Sequence, residues 1–326
     1  MKRLALIALL GIAAGCRPAP APAAVTLASG EVLSADVLRE GQTRFLQYCA
    51  PCHGVTGDGR GPSSAHLRPL PRDFRLGLFK FGGVAAGELP TDEALMRTLR
   101  RGLHGTPMRA WDVPDSQRRA ILQFLKTLSP RWKEERPGAP IDPTPDPWRG
   151  RTAQAVARGE ALYHLNARGH AGCNACHPSY LTHAALSELS QRELGHPLTR
   201  FSPGMYDASP RDSDYPLTVD ADGNPLTLQK VLPPDFLLDR TATVFDVGAK
   251  VEGRPYTAEQ QREDLYRVIA AGVGGAAMPE WKGALPEESL WALAYYVQSL
   301  VARRGTPEAI RWERTLEGQA AKTPSR

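Results

Sequence analysis

The sequence predicts an all-α protein made of two small domains in tandem. Three observations predict it. The first is an internal repeat at a constant offset of 170 residues. Leu95-Met96-Arg97-Thr98-Leu99-Arg100-Arg101-Gly102 returns as Leu265-Tyr266-Arg267-Val268-Ile269-Ala270-Ala271-Gly272, and each runs on through a Gly-containing turn to a Met and a Trp (Met108 and Trp111; Met278 and Trp281). The second is periodicity. Ile121, Phe124, Leu125 and Leu128, and again Leu293, Tyr296, Val297 and Leu300, keep the spacing of one helix face, and no stretch sustains the alternation of a strand. The third is the pentad Cys-x-x-Cys-His, found at Cys49, Cys52 and His53 and again at Cys173, Cys176 and His177.

Taken in order, residues 1–16 read as a signal segment. Met1-Lys2-Arg3 is basic, residues 4–14 are apolar but too short to span a bilayer, and small residues precede Cys16. That ending resembles a bacterial lipobox, with Ala13 where Leu is commonest, which makes Cys16 a lipidation candidate; an ordinary cleaved signal is the alternative. Residues 17–37 read as a flexible tether, Ala/Pro-rich at first. The first domain covers 38–136. Within it Thr91 can cap a helix whose first turn holds Asp92 and Glu93, and Asp115 opens the last helix. Residues 137–151 form a linker with five prolines between Pro137 and Trp148, expected to be extended rather than packed. The second domain covers 152–304, with Thr257 and Glu287 in the matching helix-start positions. It carries an insertion at about 178–231, expected to be a loop-rich flap that includes Ser202-Pro203-Gly204-Met205 and an Asp-Ala-Asp-Gly-Asn turn at 220–224. Residues 305–326 read as a tail.

The pentads carry the chemistry. Two thiols one helical turn apart can each add to a haem vinyl group, and the following His then supplies an axial nitrogen to the iron. A zinc site would join two Cys-x-x-Cys pairs in one tetrahedron, and a thioredoxin-like motif needs one pair near a βαβ unit; neither explains a His after both pairs. Only five cysteines exist, so four serve the pentads and Cys16 is left over. The reading is two covalent haems c, one per domain. Haem c is attached outside the cytoplasm, which agrees with the export signal.

The order of parts resembles the class I cytochrome c family. Gly41 and Phe45, or Gly159 and Tyr163, precede the pentad; a loop with Leu70-Pro71-Arg72-Asp73-Phe74 or Leu232-Pro233-Pro234-Asp235-Phe236 follows; then come a helix, a Met loop and a last helix. The resemblance implies two tandem cytochrome c-like haem domains in which the first and last helices cross with Gly against an aromatic. It implies Met108 and Met278 as second axial ligands beside His53 and His177. Met205 and His104 are rivals, and Met96 reads as core. His66, His183 and His196 read as surface or loop residues, and His164 and His170 lie in the extra run before Cys173. Pro69, Pro71, Tyr48, Arg72, Trp111 and Trp281 are candidates for contacts around the haem.

At 326 residues with 42% hydrophobic and 23% charged content, the chain is globular and long enough for about two domains. Its formal charge of +5 is uneven. Residues 39–136 hold 17 basic and 10 acidic side chains, and residues 149–304 hold 16 and 18. A basic first half suits an acidic protein partner. Nucleic acid is not expected for an exported haem protein. Two saturated irons would shuttle single electrons between membrane or periplasmic redox partners, with no catalytic residue and attachment through a lipid anchor. The alternative is a dihaem peroxidase or other haem-dependent oxidoreductase.

Overall fold

The structure is a computed structural model that describes residues 22–202, 204–219, 225–239 and 244–320. It consists of two helical units. The first begins with a small antiparallel hairpin, β1 (Val25–Thr26) and β2 (Val32–Leu33), followed by α1 (Ala35–Tyr48), α2 (Ala50–His53), α3 (Asp92–Arg101), α4 (Asp115–Lys126) and α5 (Arg131–Glu134). The second contains α6 (Thr152–His164), α7 (His183–Leu194), a hairpin of β3 (Arg211–Val219) and β4 (Pro225–Val231), a short hairpin of β5 (Lys250–Val251) and β6 (Arg254–Pro255), and then α8 (Ala258–Ala271), α9 (Glu287–Arg303) and α10 (Pro307–Ala320).

Each unit is organised by one helix crossing. A Cβ built on Gly41 of α1 would stand 2.0 Å from the Ala120 carbonyl oxygen and 2.8 Å from Phe124 Cβ of α4. On Gly159 of α6 it would stand 2.1 Å from the Ala292 carbonyl and 2.6 Å from Tyr296 Cβ of α9. Only glycine permits helix backbones this close. The aromatic beside each crossing is buried: Phe45 in the first unit, Tyr163 in the second. Helix starts follow the sequence signals. Thr91 accepts from the Ala94 amide, and Thr257 forms a reciprocal capping box with Gln260. Pro114 and Pro286 precede α4 and α9.

Four segments differ from the sequence expectation. The part of the supposed tether from Val25 onward is packed: Leu27 and Leu33 are buried with Leu38, Leu89 and Trp132. Buried Lys126 ties this hairpin down, with Nζ 3.1 Å from Glu31 and 2.7 Å from Asp92. The linker lacks regular structure yet is packed. Ile141 and Trp148 are buried, Trp148 Nε1 donates to the Glu288 carbonyl at 2.9 Å, and Tyr295 donates to Asp146 at 2.7 Å. Its prolines prevent a helix without preventing burial. The insertion holds a capped helix and a two-stranded hairpin where a loop-rich flap was expected. The supposed tail holds α10, whose Ala309 and Leu316 are buried and whose Trp312 donates to the Tyr180 carbonyl at 3.0 Å. The signal segment with Cys16, the 220–224 turn and Pro203 lie outside the described residues.

Candidate haem sites

Each pentad follows the helix that makes the crossing. In the first unit α2 carries the pentad as one helical turn, and in the second Cys173–Ala175 is a single 3-10 turn. No disulfide joins the two thiols of either pentad. Burial, and secondarily the neighbouring Cys52 or Cys176, pushes the Cys49 and Cys173 thiols up to about 12. At neutral pH both are therefore thiols rather than thiolates.

The two histidines have equivalent surroundings. His53 Nδ1 is 3.0 Å from the Arg72 carbonyl, and His177 Nδ1 is 3.0 Å from the Pro234 carbonyl. Arg72 and Pro234 occupy the same place in the repeat. Phe74 and Phe236, two residues on, stack on the imidazoles at 4.4 Å and 5.0 Å, both at 20°. Burial holds both histidines below their ordinary value, and the carbonyl bond opposes it. The neutral tautomer therefore carries its proton on Nδ1, donated to the carbonyl, and leaves the Nε2 lone pair for a metal. The carbonyl and the Phe were not assigned these roles from the sequence, although the repeated Leu-Pro-x-Asp-Phe stretch marks both.

The Met loops are also built alike. Gly102 and Gly272 end α3 and α8 at φ of +67° and +68°, a region that suits glycine. The next amide folds back onto the Met carbonyl in each, Leu103 to Met108 at 2.7 Å and Val273 to Met278 at 3.1 Å. Met108 lines a largely apolar cavity of about 240 Å³ with Cys49, Cys52, His53, Tyr48 and Trp111. In the second unit Met278, Cys173 and Trp281 pack on one core cluster with Phe236. Met205 instead lies in a separate cluster with Leu186, Leu189 and Leu316, and Met96 is core. The rival His104 faces the Val244 carbonyl at 3.1 Å.

These residues fit a covalently held haem. The first cavity has two thiols at one edge, an imidazole with its lone pair available, a thioether and apolar walls. It also has two cations at its border. Burial lowers Arg72 to about 10, and burial with Arg72 nearby lowers Lys80 to about 8. Such cations suit the carboxylates that a haem carries. Among the described residues no group of three or more His, Cys, Asp or Glu could hold a metal ion, so the two Cys-x-x-Cys pairs do not close one zinc tetrahedron.

The other histidines are placed differently. His66 and His196 are exposed. His183 opens α7 and stacks on Phe201 at 4.2 Å, so it is a packed residue of the insertion rather than a loop one. His164 is buried at the end of α6, with Nδ1 3.0 Å from the Glu160 carbonyl and Nε2 accepting from the Tyr180 amide at 3.1 Å.

Residues 36–125 and 244–297 match the family model described as cytochrome c oxidase, cbb3-type, subunit III. The first segment includes the pentad at Cys49–His53 and Met108, and the second includes Met278 but begins after the pentad at Cys173–His177. No curated protein matches. Among solved structures, a chain of the Kuenenia stuttgartiensis reducing HAO-like protein complex Kustc0457/Kustc0458 is similar, with a TM-score of 0.54 and 26% identity over 80% of this chain and 96% of that one.

Proposed function

We propose that this chain is a c-type cytochrome that carries two covalent haems c and passes single electrons between redox protein partners outside the cytoplasm. The observation that carries the reading is the duplication of one complete arrangement: pentad, His bonded to a carbonyl and stacked on Phe, and Met loop. When bound, a haem c supplies a one-electron Fe(III)/Fe(II) couple. The chain's residues do the rest. Cys49 and Cys52, and Cys173 and Cys176, would hold the two groups covalently. The Arg72 and Pro234 carbonyls orient His53 and His177 as ligands. Met108 and Met278 would supply a soft sulfur ligand to the same two groups, which would favour Fe(II). The apolar walls keep water from the metal.

With a His and a Met placed to hold each group, no position would be left for a substrate, which favours electron transfer over peroxidase chemistry. The similar Kuenenia stuttgartiensis chain belongs to a protein complex, which supports protein partners here. Among the described residues no helix is long and apolar enough to cross a membrane. Attachment through a lipid on Cys16 rests on the sequence alone, and membrane fractionation of a Cys16→Ser chain tests it.

The spectrum of the purified oxidised protein tests the function. Both irons should be low-spin, with a weak far-red band from Met-to-iron charge transfer. Met108→Ala and Met278→Ala should each remove about half of that band, and Met205→Ala should leave it unchanged. A high-spin iron that binds carbon monoxide or reacts with peroxide in the intact protein would favour the enzyme reading.

A further inference from the structure

The two units touch through matching places of the repeat. His104 and Gly274 stand at the same repeat position, each four residues before its Met. His104 Nδ1 is 3.1 Å from the Val244 carbonyl of the second unit. The Gly274 amide donates to the Lys80 carbonyl of the first unit at 3.2 Å. Each Met loop therefore reaches across to the other unit, and each lands on the segment that follows the other's Leu-Pro-x-Asp-Phe stretch.

The contact made by Gly274 sets backbone against backbone. A Cβ at this position would stand 2.2 Å from the Phe79 carbonyl oxygen. That atom is backbone and cannot swing aside. Phe79, Lys80 and Phe81 also line the first cavity with Met108 and His53, so the loop that carries Met278 rests directly on the wall of the first site.

An ion pair spans the same contact. Arg101 of α3 reaches Asp264 of α8 at 3.1 Å and Glu252 at 3.0 Å. The Asp264 side chain is 8% exposed and also accepts from Tyr256 at 2.6 Å and Arg267 at 2.9 Å. Losing Arg101 would leave the nearly buried Asp264 carboxylate short of a cation, which favours one orientation of the two units.

We infer that the crossed Met loops form the electron route between the two centres, and that Gly274 is a positioning residue whose missing side chain lets the second loop lie against the first cavity's wall. The inference rests on the two-haem reading above. One electron crosses per event: one iron goes from Fe(II) to Fe(III) as the other goes from Fe(III) to Fe(II), and no bond or proton changes place. A one-electron partner protein supplies the electron.

The test uses the haem-loaded full chain. A flash-generated flavin semiquinone reduces one centre, and absorbance follows equilibration with the other. Gly274→Val should slow that equilibration severalfold, while haem content and the far-red band stay at wild-type values. Amide hydrogen exchange at residues 272–276 should be slow in the wild type and fast in the variant. Arg101→Gln, at a residue that does not line the first cavity, should slow equilibration in the same direction and decides the matter if the Gly274 variant does not accumulate. Wild-type equilibration in variants that retain both haems overturns the inference. A wild-type chain with one haem refutes the functional reading instead, and the exchange experiment still reports whether the loop contact exists.

Discussion

His164 is neutral because both its nitrogens are committed. Nδ1–H donates to the Glu160 carbonyl and Nε2 accepts from the Tyr180 amide, and a second proton would set two donors against each other. Burial lowers its pKa to about 4, against 6.5 ordinarily. The unfolded chain therefore binds a proton that the folded chain refuses between those values. The stabilisation is complete above about pH 6.5 and is lost as pH falls toward 4, a change of about 3 kcal/mol. Denaturant titrations across that window should give a stability slope that flattens by roughly 1.4 kcal/mol per pH unit in His164→Gln; an unchanged slope would place the titration elsewhere. At this scale the sequence was uneven as a guide. The pentad thiols, the histidines that follow them and the repeated Met loops stand out in the sequence because they are particular residue types at set spacings. The carbonyls of Arg72 and Pro234 were not, since any residue can present a carbonyl and only the fold decides which one meets the imidazole.

Two local preferences conflict where the helices cross, and magnitudes settle which wins. Alanine is the better helix former by about 1 kcal/mol, so propensity alone would have Gly159→Ala stabilise α6. A Cβ there would meet the Ala292 carbonyl at 2.1 Å, and such overpacking costs about 1–3 kcal/mol or more. The variant should therefore melt at a lower temperature than the wild type in calorimetry, and a higher one would mean that the helices do not cross at this glycine. The glycine-before-aromatic pattern made this crossing legible. The hairpin of β3 and β4 was less so: Pro216 interrupts β3 and the ladder is irregular, so no clean alternation survives to be read. The last helix left a signal that was passed over, because Ala309, Trp312 and Leu316 keep helical spacing beyond Arg304.

At the scale of the molecule, the uneven charge takes a more specific form. Arg100 and Arg101 are adjacent cations of the first unit with different surroundings. Arg100 is bonded to Asp115, and Arg101 is spent on the contact with the second unit. Arg68 and Arg109 are exposed and flank cavity residues Pro69 and Met108, which makes them the better docking candidates. Exposed charges are screened over about 8 Å at physiological salt. Association with an acidic redox partner should slow as salt rises, and Arg68→Glu with Arg109→Glu should lower the rate and flatten its salt dependence in stopped-flow measurements. A rate indifferent to both would leave the basic half as solvated surface. The repeat made two units legible, but their crossed contact was not, because it joins residues far apart in sequence through backbone atoms that carry no residue signature.

The central claim is that each pentad holds a haem, and counting haems tests it most directly. Pyridine haemochrome assay of the denatured protein, set against protein concentration, should give two haems c per chain for the wild type, with the haem remaining on the chain in a denaturing gel. Cys52→Ser and Cys176→Ser should each lower the count toward one, and both together should abolish covalent haem. A wild-type chain with a single haem, or haem that leaves the denatured chain, would contradict the account.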